Sequence, residues 1–509
     1  MTSPSVGASA PREHVRVAVI GSGFAGIGAS IALARAGVEH VVLERADDLG
    51  GTWRDNTYPG CRCDVPSHLY SFSFAPNPDW SETYSPQPEI QAYLRRTAEE
   101  YGVTRRIRFG HDVTRAAWDD DQKRWRLDTP AGSLTADIIV AGNGFLSEPA
   151  FPDIAGIDSF EGTMFHSAQW RHDHDLTGER VAVIGTGASA IQFAPEIQPD
   201  VAHLTLFQRT PPWVLPHGNR RISNAERRLF RAVPQWQRAI RGVVYGSREV
   251  FVTALLRNGK GLERMEQLAR RHLETQVADP DLRAKVTPSY RPGCKRLLLS
   301  NDYYPTLAEP NVEVVTHSIV EIRPDGIVTA DGATHPVDTI ILGTGFHVTD
   351  NPIAQRIHGR AGASLADTWA GTGAQAYLGS TVPGFPNLFF LAGPNTGIGH
   401  TSLVFMIEAQ ITYVVDAIET MDRTGAASVE LRAPVLAAWT DSIQRKAEAT
   451  VWNSGGCSSW YLDAEGRNTT LWPEHTFRFR TRTRRFDPAR YELVAHPDVD
   501  RVAETADVR

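Results

Sequence analysis

Val15-Arg-Val-Ala-Val-Ile20-Gly21-Ser-Gly23-Phe-Ala-Gly26 reads as a buried strand running into a glycine turn, and an Ala-rich helical stretch follows to Ala36. Gly21 permits the tight turn, Gly23 lets the backbone approach a pyrophosphate, and Gly26 lets the helix pack on the strand. The phosphates would rest on the helix N-terminus, where free N–H groups and the dipole favour anions. A second strand, Val41-Val-Leu-Glu44, ends in an acid 23 positions after Gly21. A carboxylate there accepts hydrogen bonds from an unphosphorylated ribose, as in FAD or NAD. A glycine turn in an empty α/β fold is the plainer alternative. The strand, helix and acid in register favour a nucleotide.

The same grammar returns once. Val181-Ala-Val-Ile184 leads into Gly185-Thr-Gly187-Ala-Ser-Ala190, a helix to Ile197 and a strand from Leu204 to Gln208. Ala190 at the third position still permits close packing. This strand ends in Arg209, 24 positions after Gly185, with Thr210 next and no carboxylate. An arginine there suits a 2′-phosphate, which a carboxylate would repel, so NADP(H) is preferred over NAD(H). An ordinary surface ion pair is the competing reading of Arg209. Each copy closes alike, with Asp137-Ile-Ile-Val-Ala-Gly142-Asn-Gly144-Phe145 echoed by Asp338-Thr-Ile-Ile-Leu-Gly343-Thr-Gly345-Phe346. A β-meander pattern precedes each closing strand, over 113–135 and 312–334.

The fold class is therefore α/β, with two Rossmann-like dinucleotide-binding domains. The first spans residues 1–148 and resumes over 380–509, ending in a C-terminal arm; the second spans 149–379 and carries a helical insertion at about 215–310. In 509 residues that arrangement accounts for roughly three domain-sized units. Between His217 and Ser300 stand 18 Lys/Arg against 7 Asp/Glu. A lipid-facing amphipathic element would fit this excess. Basic residues that are solvated, or that face a phosphate-bearing cofactor, fit it better.

Over the whole chain the net charge is −7, which excludes nucleic acid and anionic membrane as main partners, since both need a basic field. Val17 to Ala34 is an uncharged run of 18 residues, but six of them are Gly or Ser, so it reads as strand, turn and helix, and no integral membrane segment is expected. The start, Met1 to Arg16, lacks the apolar stretch of a signal peptide. Cys61, Cys63, Cys294 and Cys457 are too few for a disulfide framework and fit a reducing, cytoplasmic setting.

Two different nucleotides point to a flavin that receives hydride from NADPH. The reaction then turns on the electron acceptor. Disulfide reductases of this architecture use a C-x4-C pair after the first unit, whereas Cys61 and Cys63 are separated by one residue. No Cys/His grouping has metal-ligand spacing, so no metal site is expected. Oxygen is the acceptor class that remains.

At this point the sequence resembles the type I Baeyer–Villiger monooxygenases, FAD- and NADPH-dependent members of the flavin-containing monooxygenase superfamily. Their fingerprint F-x-G-x-x-x-H-x-x-x-W is matched by Phe160, Gly162, His166 and Trp170, with Arg171 departing from the usual Pro or Asp that follows. A second signature, [A/G]-G-x-W-x4-[F/Y]-P-[G/M]-x3-D, is matched by Gly50, Gly51, Trp53, Tyr58, Pro59, Gly60 and Asp64. Relatives that oxidise nitrogen or sulfur carry Tyr or Phe where Trp170 stands. The likeness runs from about Val15 to about Phe479.

The resemblance implies that NADPH reduces FAD, O2 adds at flavin C4a, and the peroxide attacks a ketone to give an ester or lactone. It places the catalytic cation at Arg296, a residue type that never loses its charge, with Asp64 orienting it. A purely structural Asp64–Arg296 ion pair is the alternative. By the same resemblance FAD is met by Gly21, Gly23, Phe24, Ala25, Gly26, Glu44, Thr52, Trp53, Asp64, Tyr70, Val113 and Gly393. NADPH is met by Gly185, Gly187, Ser189, Ala190, Gln192, Arg209, Thr210 and Lys295, and Trp460 belongs to a mobile segment over the nicotinamide. A packed core tryptophan is the other reading of Trp460. His166 takes a conformational role. His347-Val-Thr-Asp350 departs from the Asp-Ala-Leu-Thr-Gly run of some members, which bears on substrate preference. Oxygenation at nitrogen or sulfur, an uncoupled NADPH oxidase and a silent nucleotide-binding regulator are the competing functions. The oligomeric state stays open.

Overall fold

The computed structural model describes residues 13–257 and 259–495. The leader reading therefore lies mostly, and the end of the C-terminal arm wholly, outside the described residues. The opening strand forms over Glu13–Ile20 and feeds two cores at once. Val17 and Val19 pack toward the helix Phe24–Arg35, while Ala18 and Ile20 enter a separate cluster with Trp125, Leu127 and Phe385. That two-faced burial is why the stretch is a continuous apolar run.

Its sheet has eight strands. Glu13–Ile20 is central, parallel to His40–Leu43 on one side and to Gly132–Ala141 on the other. The first meander is as expected, Arg115–Asp119, Arg124–Thr129 and Gly132–Ala141 in antiparallel register. Leu388–Phe390 returns to pair in parallel with Ile139–Ala141, so the sheet is built from distant pieces of chain. Ile357–His358 also joins this sheet, pairing in parallel with Ala116–Ala117.

The second sheet is wholly parallel, in the order Val312–Val315, His203–Phe207, Arg180–Ile184, Thr339–Leu342, Thr163–His166. Here the meander differs from expectation. Val312–Val315 joins the parallel sheet, and only Ile319–Arg323, Gly326–Thr329 and Thr334–Pro336 form an antiparallel triplet. Val314 and Val315 are buried on both sides of the sheet, which is the demand that pulls this strand out of the meander.

The duplication extends to the turns. An added Cβ on Gly21 would stand 2.8 Å from the Gly142 carbonyl oxygen, and one on Gly185 would stand 2.4 Å from that of Gly343. Each closing strand thus presses a glycine carbonyl against the first glycine of its fingerprint. Gly26 is tighter still, its Cβ position lying 1.8 Å from the Gly21 carbonyl oxygen. Backbone cannot yield there as a side chain can. Gly26→Ala is expected to cost about 1–3 kcal/mol and to deliver protein depleted of flavin, checked by the thermal midpoint and by visible absorbance.

The insertion is helical, as Asn224–Ala232, Pro234–Arg257, Lys260–Gln276 and Pro280–Val286. Several of its arginines are in surface ion pairs, Arg220 with Glu226, Arg231 with Asp79 and Arg270 with Glu266. It is pinned to the C-terminal part by Glu249, a buried carboxylate that accepts from the Thr476 backbone N–H (3.2 Å) and hydroxyl and faces His475 Nδ1 (3.0 Å) and His400 Nε2 (3.4 Å). Among the described residues no helix is long and apolar enough to cross a membrane. The expected arm is partly a packed element: Tyr491–Ala495 pairs antiparallel with Ala426–Leu431, and the buried Tyr491 hydroxyl bonds those of Tyr413 and Thr381.

The cysteine reading needs a correction. Cys294 and Cys457 are joined in a disulfide across 163 residues, while Cys61 and Cys63 are free and buried. One cross-link is no framework, but neither is the chain free of disulfides. The two cysteines meet because the insertion folds back on the C-terminal segment, a tertiary contact with no trace in spacing.

Candidate active site

A cleft of about 1270 Å³, its solvent-filled mouth included, opens at the carboxyl end of the first sheet. This is where parallel sheets place ligands. Gly21, Gly23, Phe24, Ala25, Glu44, Thr52, Trp53, Tyr70 and Val113 all line it, and Gly26 lies just behind as a packing residue. The glycine cradle leaves backbone where a phosphate needs it. Glu44 is buried and already preorganised: it accepts from the Ser22 N–H (2.9 Å) and hydroxyl (2.6 Å), the Ala46 N–H (3.0 Å) and Arg54 (2.8 Å). Burial raises its pKa, and these donors more than reverse that, so it stays ionised. Trp53 Nε1 donates to the Tyr70 hydroxyl at 3.0 Å, fixing the cleft floor. The donor set and the absence of side-chain bulk fit a flavin adenine dinucleotide. Sequence reading missed Arg54 and the Asn351–Arg356 segment on the cleft wall.

Asp64 and Arg296, 232 residues apart, meet in a two-pronged pair. Arg296 donates through Nε (2.5 Å) and Nη2 (2.7 Å) to the two carboxylate oxygens, and Nη1 approaches the Ile398 carbonyl at 3.5 Å. About a quarter of each side chain is open, 28% for Arg296 and 24% for Asp64. Burial works against the guanidinium charge, and Asp64 outweighs it, holding Arg296 above the ordinary arginine value. For Asp64, burial opposes ionisation and Arg296 outweighs it, pulling the carboxyl below its ordinary 3.8. A carboxylate depressed by folding contributes stability that is complete above its unfolded pKa and lost as pH falls through the folded one. The pair is therefore expected to leave stability level from about pH 5 upward and to steepen acid unfolding below about pH 4. Thermal midpoints against pH check this, with a shallower acid limb in Asp64→Asn.

In the second unit, Ser189 stands at the N-cap position of the helix Ala190–Ile197 without a side-chain capping bond, and the space over Gly187 is open. Gln192 accepts from the Tyr58 hydroxyl (3.1 Å) and the Arg62 N–H (3.2 Å), and donates to the Arg62 carbonyl (3.2 Å). It therefore sews this helix to the segment carrying Asp64, a role the sequence did not announce. Arg209 is exposed, and Thr210 fixes the turn by accepting the Thr186 hydroxyl at 3.4 Å. Lys295 stands near enough that, after burial, the Arg209 charge lowers its pKa. Among the described residues neither cation has a carboxylate in an ion pair. Two convergent cations without a carboxylate partner are chemically suited to a phosphate.

The fingerprint residues are structural neighbours of this unit. His166 ends the edge strand, is fully buried, accepts the Ala168 N–H on Nδ1 (3.1 Å) and lies between Phe151 and Phe346. Burial lowers its pKa, keeping the ring neutral. Trp170 packs on Phe165 and Phe193, and Phe160 covers Gly162. Gly393 lies in a tight loop, its Cβ position 2.3 Å from the Gly379 carbonyl oxygen. Trp460 is no core residue: it is 39% exposed, with its ring toward Phe145 on the cleft wall. Among the described residues no cluster of His, Cys, Asp or Glu is placed to hold a metal ion.

A cleft that fits a flavin, a pair of convergent cations that suits a phosphate, and a permanently charged arginine within electrostatic reach of the cleft residue Tyr70 are the parts of a two-nucleotide flavoprotein oxidoreductase. The comparisons with known proteins carry this further. Residues 14–229 match the flavin-binding monooxygenase-like family. A Baeyer–Villiger monooxygenase of Streptomyces coelicolor is 53% identical, over 95% of this chain and 93% of its own. The structure of cyclohexanone monooxygenase from Rhodococcus sp. Phi1 bound to NADP+ aligns with a TM-score of 0.85 at 29% identity, over 96% of this chain and all of that one. That of OTEMO in complex with FAD and NADP gives 0.84 at 28%, over 94% and 99%. The chain belongs to the Baeyer–Villiger monooxygenases, NADPH-dependent enzymes of the flavin-binding monooxygenase family, and its cofactors are FAD and NADPH.

Proposed function

We propose that the enzyme uses NADPH and O2 to insert oxygen beside the carbonyl of a ketone, giving an ester or lactone. The observation that carries this reading is the Asp64–Arg296 pair, whose charges act on Tyr70 in the wall of the flavin-type cleft. When bound, FAD supplies hydride acceptance and oxygen activation. Everything else is the work of the chain. Glu44 orients the ribose and the Gly21–Gly26 turn seats the pyrophosphate. Arg296 presents a charge that no physiological pH removes, where negative oxygen develops during attack on a carbonyl. Asp64 fixes the guanidinium plane so that this charge is preorganised.

Arg209, Thr210 and Lys295 are assigned to the 2′-phosphate of NADPH, and Gly185, Gly187, Ser189, Ala190 and Gln192 to its pyrophosphate turn. Trp460 is assigned to cover the nicotinamide, and His166 and Trp170 to set the relation of the two units. The FAD-binding part is assigned to 1–148 and 380–509 and the NADP-binding part to 149–379, with cytoplasm as the compartment. Ketones are the substrate class. Purified protein given NADPH, air and a panel of cyclic, aliphatic and aryl ketones is expected to form esters or lactones. Oxidation of sulfides or amines in their place would overturn the reading in favour of heteroatom oxygenation. Stoichiometric hydrogen peroxide without product would overturn it in favour of an oxidase.

A further inference from the structure

We propose that Tyr461 is a positioning residue for Arg296 and that the Cys294–Cys457 disulfide holds it in place, forming a redox-sensitive strap between the two nucleotide units. The proposal rests on the reading of Arg296 as the cation that serves oxygen insertion.

Cys294 lies two residues before Arg296, and Cys457 lies four before Tyr461. The bond therefore ties the strand of chain that delivers Arg296, in the insertion of the second unit, to the C-terminal segment that carries Trp460 and Tyr461. Tyr461 is 1% exposed and shares one apolar cluster with Cys294, Trp213, Leu255, Val451 and Trp452. Its hydroxyl lies within electrostatic and hydrogen-bonding reach of the Arg296 side chain. Burial pushes the phenol up to about 12 even with that cation beside it, so it remains a neutral dipole. Asp64 holds Arg296 through two bonds, and Tyr461 is its neutral neighbour on the segment that the disulfide ties to Cys294. The fit around the bond is close: a Cβ on Gly455 would stand 2.5 Å from the Cys294 Cβ and 2.8 Å from its sulfur, and the Arg291 N–H bonds the Gly455 carbonyl at 3.0 Å. Among the described residues no other disulfide joins the two segments, and Trp460, its ring toward Phe145 on the cleft wall, rides on the same strap.

The bond is also reachable. Cys294 is buried, but Cys457 is partly exposed, so a thiolate can attack the Cys457 sulfur and expel Cys294. A dithiol reductant completes the step: its two thiols supply two electrons and two protons, leaving two cysteines and one cyclic disulfide. Hydrogen peroxide, the product of uncoupled turnover, reverses it, taking two electrons and two protons from the cysteines to give two molecules of water. Disulfides in reducing compartments serve such transient roles more often than structural ones.

The test measures how NADPH electrons divide between ester and hydrogen peroxide, in air-purified holoenzyme and after dithiothreitol, for wild type, Cys457→Ser and Tyr461→Phe. A non-reducing peptide map is expected to show Cys294 joined to Cys457. Reduction, or Cys457→Ser, is expected to raise the peroxide fraction several-fold and to speed limited proteolysis within 453–460. In Tyr461→Phe, whose intact disulfide keeps Trp460 in place, the rate at which NADPH reduces the flavin without air should change less than two-fold. Tyr461→Phe should match this uncoupling with its disulfide intact, and dithiothreitol should add nothing to it. A purely structural tyrosine would instead lower the thermal midpoint and leave the product ratio unchanged. If Cys457→Ser does not fold, the dithiothreitol titration of wild type decides alone. Free thiols at both positions, coupling indifferent to reduction, or full dithiothreitol sensitivity in Tyr461→Phe would each overturn the strap. A wild type that forms no ester from any ketone defeats the functional reading instead, and the peptide map and proteolysis still judge the strap.

Discussion

Arg296→Ala is expected to lower ester formation by about 10²–10³-fold, while NADPH still reduces the flavin and hydrogen peroxide accumulates in place of product. The magnitude is that of removing one preorganised charge from the place where negative oxygen develops. The split between the two half-reactions follows from geometry. Arg296 is bound to Asp64 and lies near the Ile398 carbonyl, whereas the residues assigned to the 2′-phosphate are Arg209 and Lys295. Losing the guanidinium also leaves the Asp64 carboxylate without its partner, and breaking a largely desolvated pair from one side is costly. Arg296→Ala/Asp64→Ala separates the effects, since it should recover stability without recovering ester. Arg296→Lys should recover little, because a point charge cannot reproduce the parallel Nε and Nη2 bonds to the carboxylate. Product analysis beside anaerobic flavin reduction checks all three variants. Equal loss of both half-reactions in Arg296→Ala would make the residue structural.

How much of this was legible beforehand depends on the range of the interaction. The fingerprints and the closing strands are local, and the chain folds as they read, with Glu44 and Arg209 each following the second strand of its unit. The parallel place of Val312–Val315 was not legible, because a strand of four residues looks the same in a meander and in a buried sheet. The Asp64–Arg296 pair could be named only through a family signature, since no periodicity connects residues 232 apart. The same limit hid Cys294–Cys457, Gln192 on the Tyr58–Arg62 segment and Glu249 beneath His400 and His475. Tyr461 had a visible signal, its place directly after Trp460, but only its burial against Arg296 gives that neighbour a task. Arg54 lies inside the variable part of the second signature, where the pattern itself discourages attention.

The second large effect concerns the choice of nicotinamide cofactor. Arg209→Ala/Lys295→Ala is expected to lower the efficiency of flavin reduction by NADPH about 10²–10³-fold while leaving NADH nearly unchanged. A charge-assisted hydrogen bond contributes about 1.5–3 kcal/mol, and two to one phosphate fall short of full additivity, which sets the range. The sign of the selectivity comes from what the two residues lack. Neither is in an ion pair among the described residues, and Lys295 holds its proton less tightly because it is half-buried and Arg209 is near. A corner that is repulsive when empty gains most from a dianion and nothing from a bare 2′-hydroxyl. The loss should shrink as ionic strength rises, since Arg209 is exposed and screened. Arg209→Glu should go further and raise the NADH rate, because a carboxylate at that strand end accepts the ribose diol as Glu44 is placed to do in the first unit. Anaerobic reduction rates across a range of NADPH and NADH concentrations check the prediction. An equal loss with both cofactors would mean that the two cations hold the unit together and do not read the phosphate.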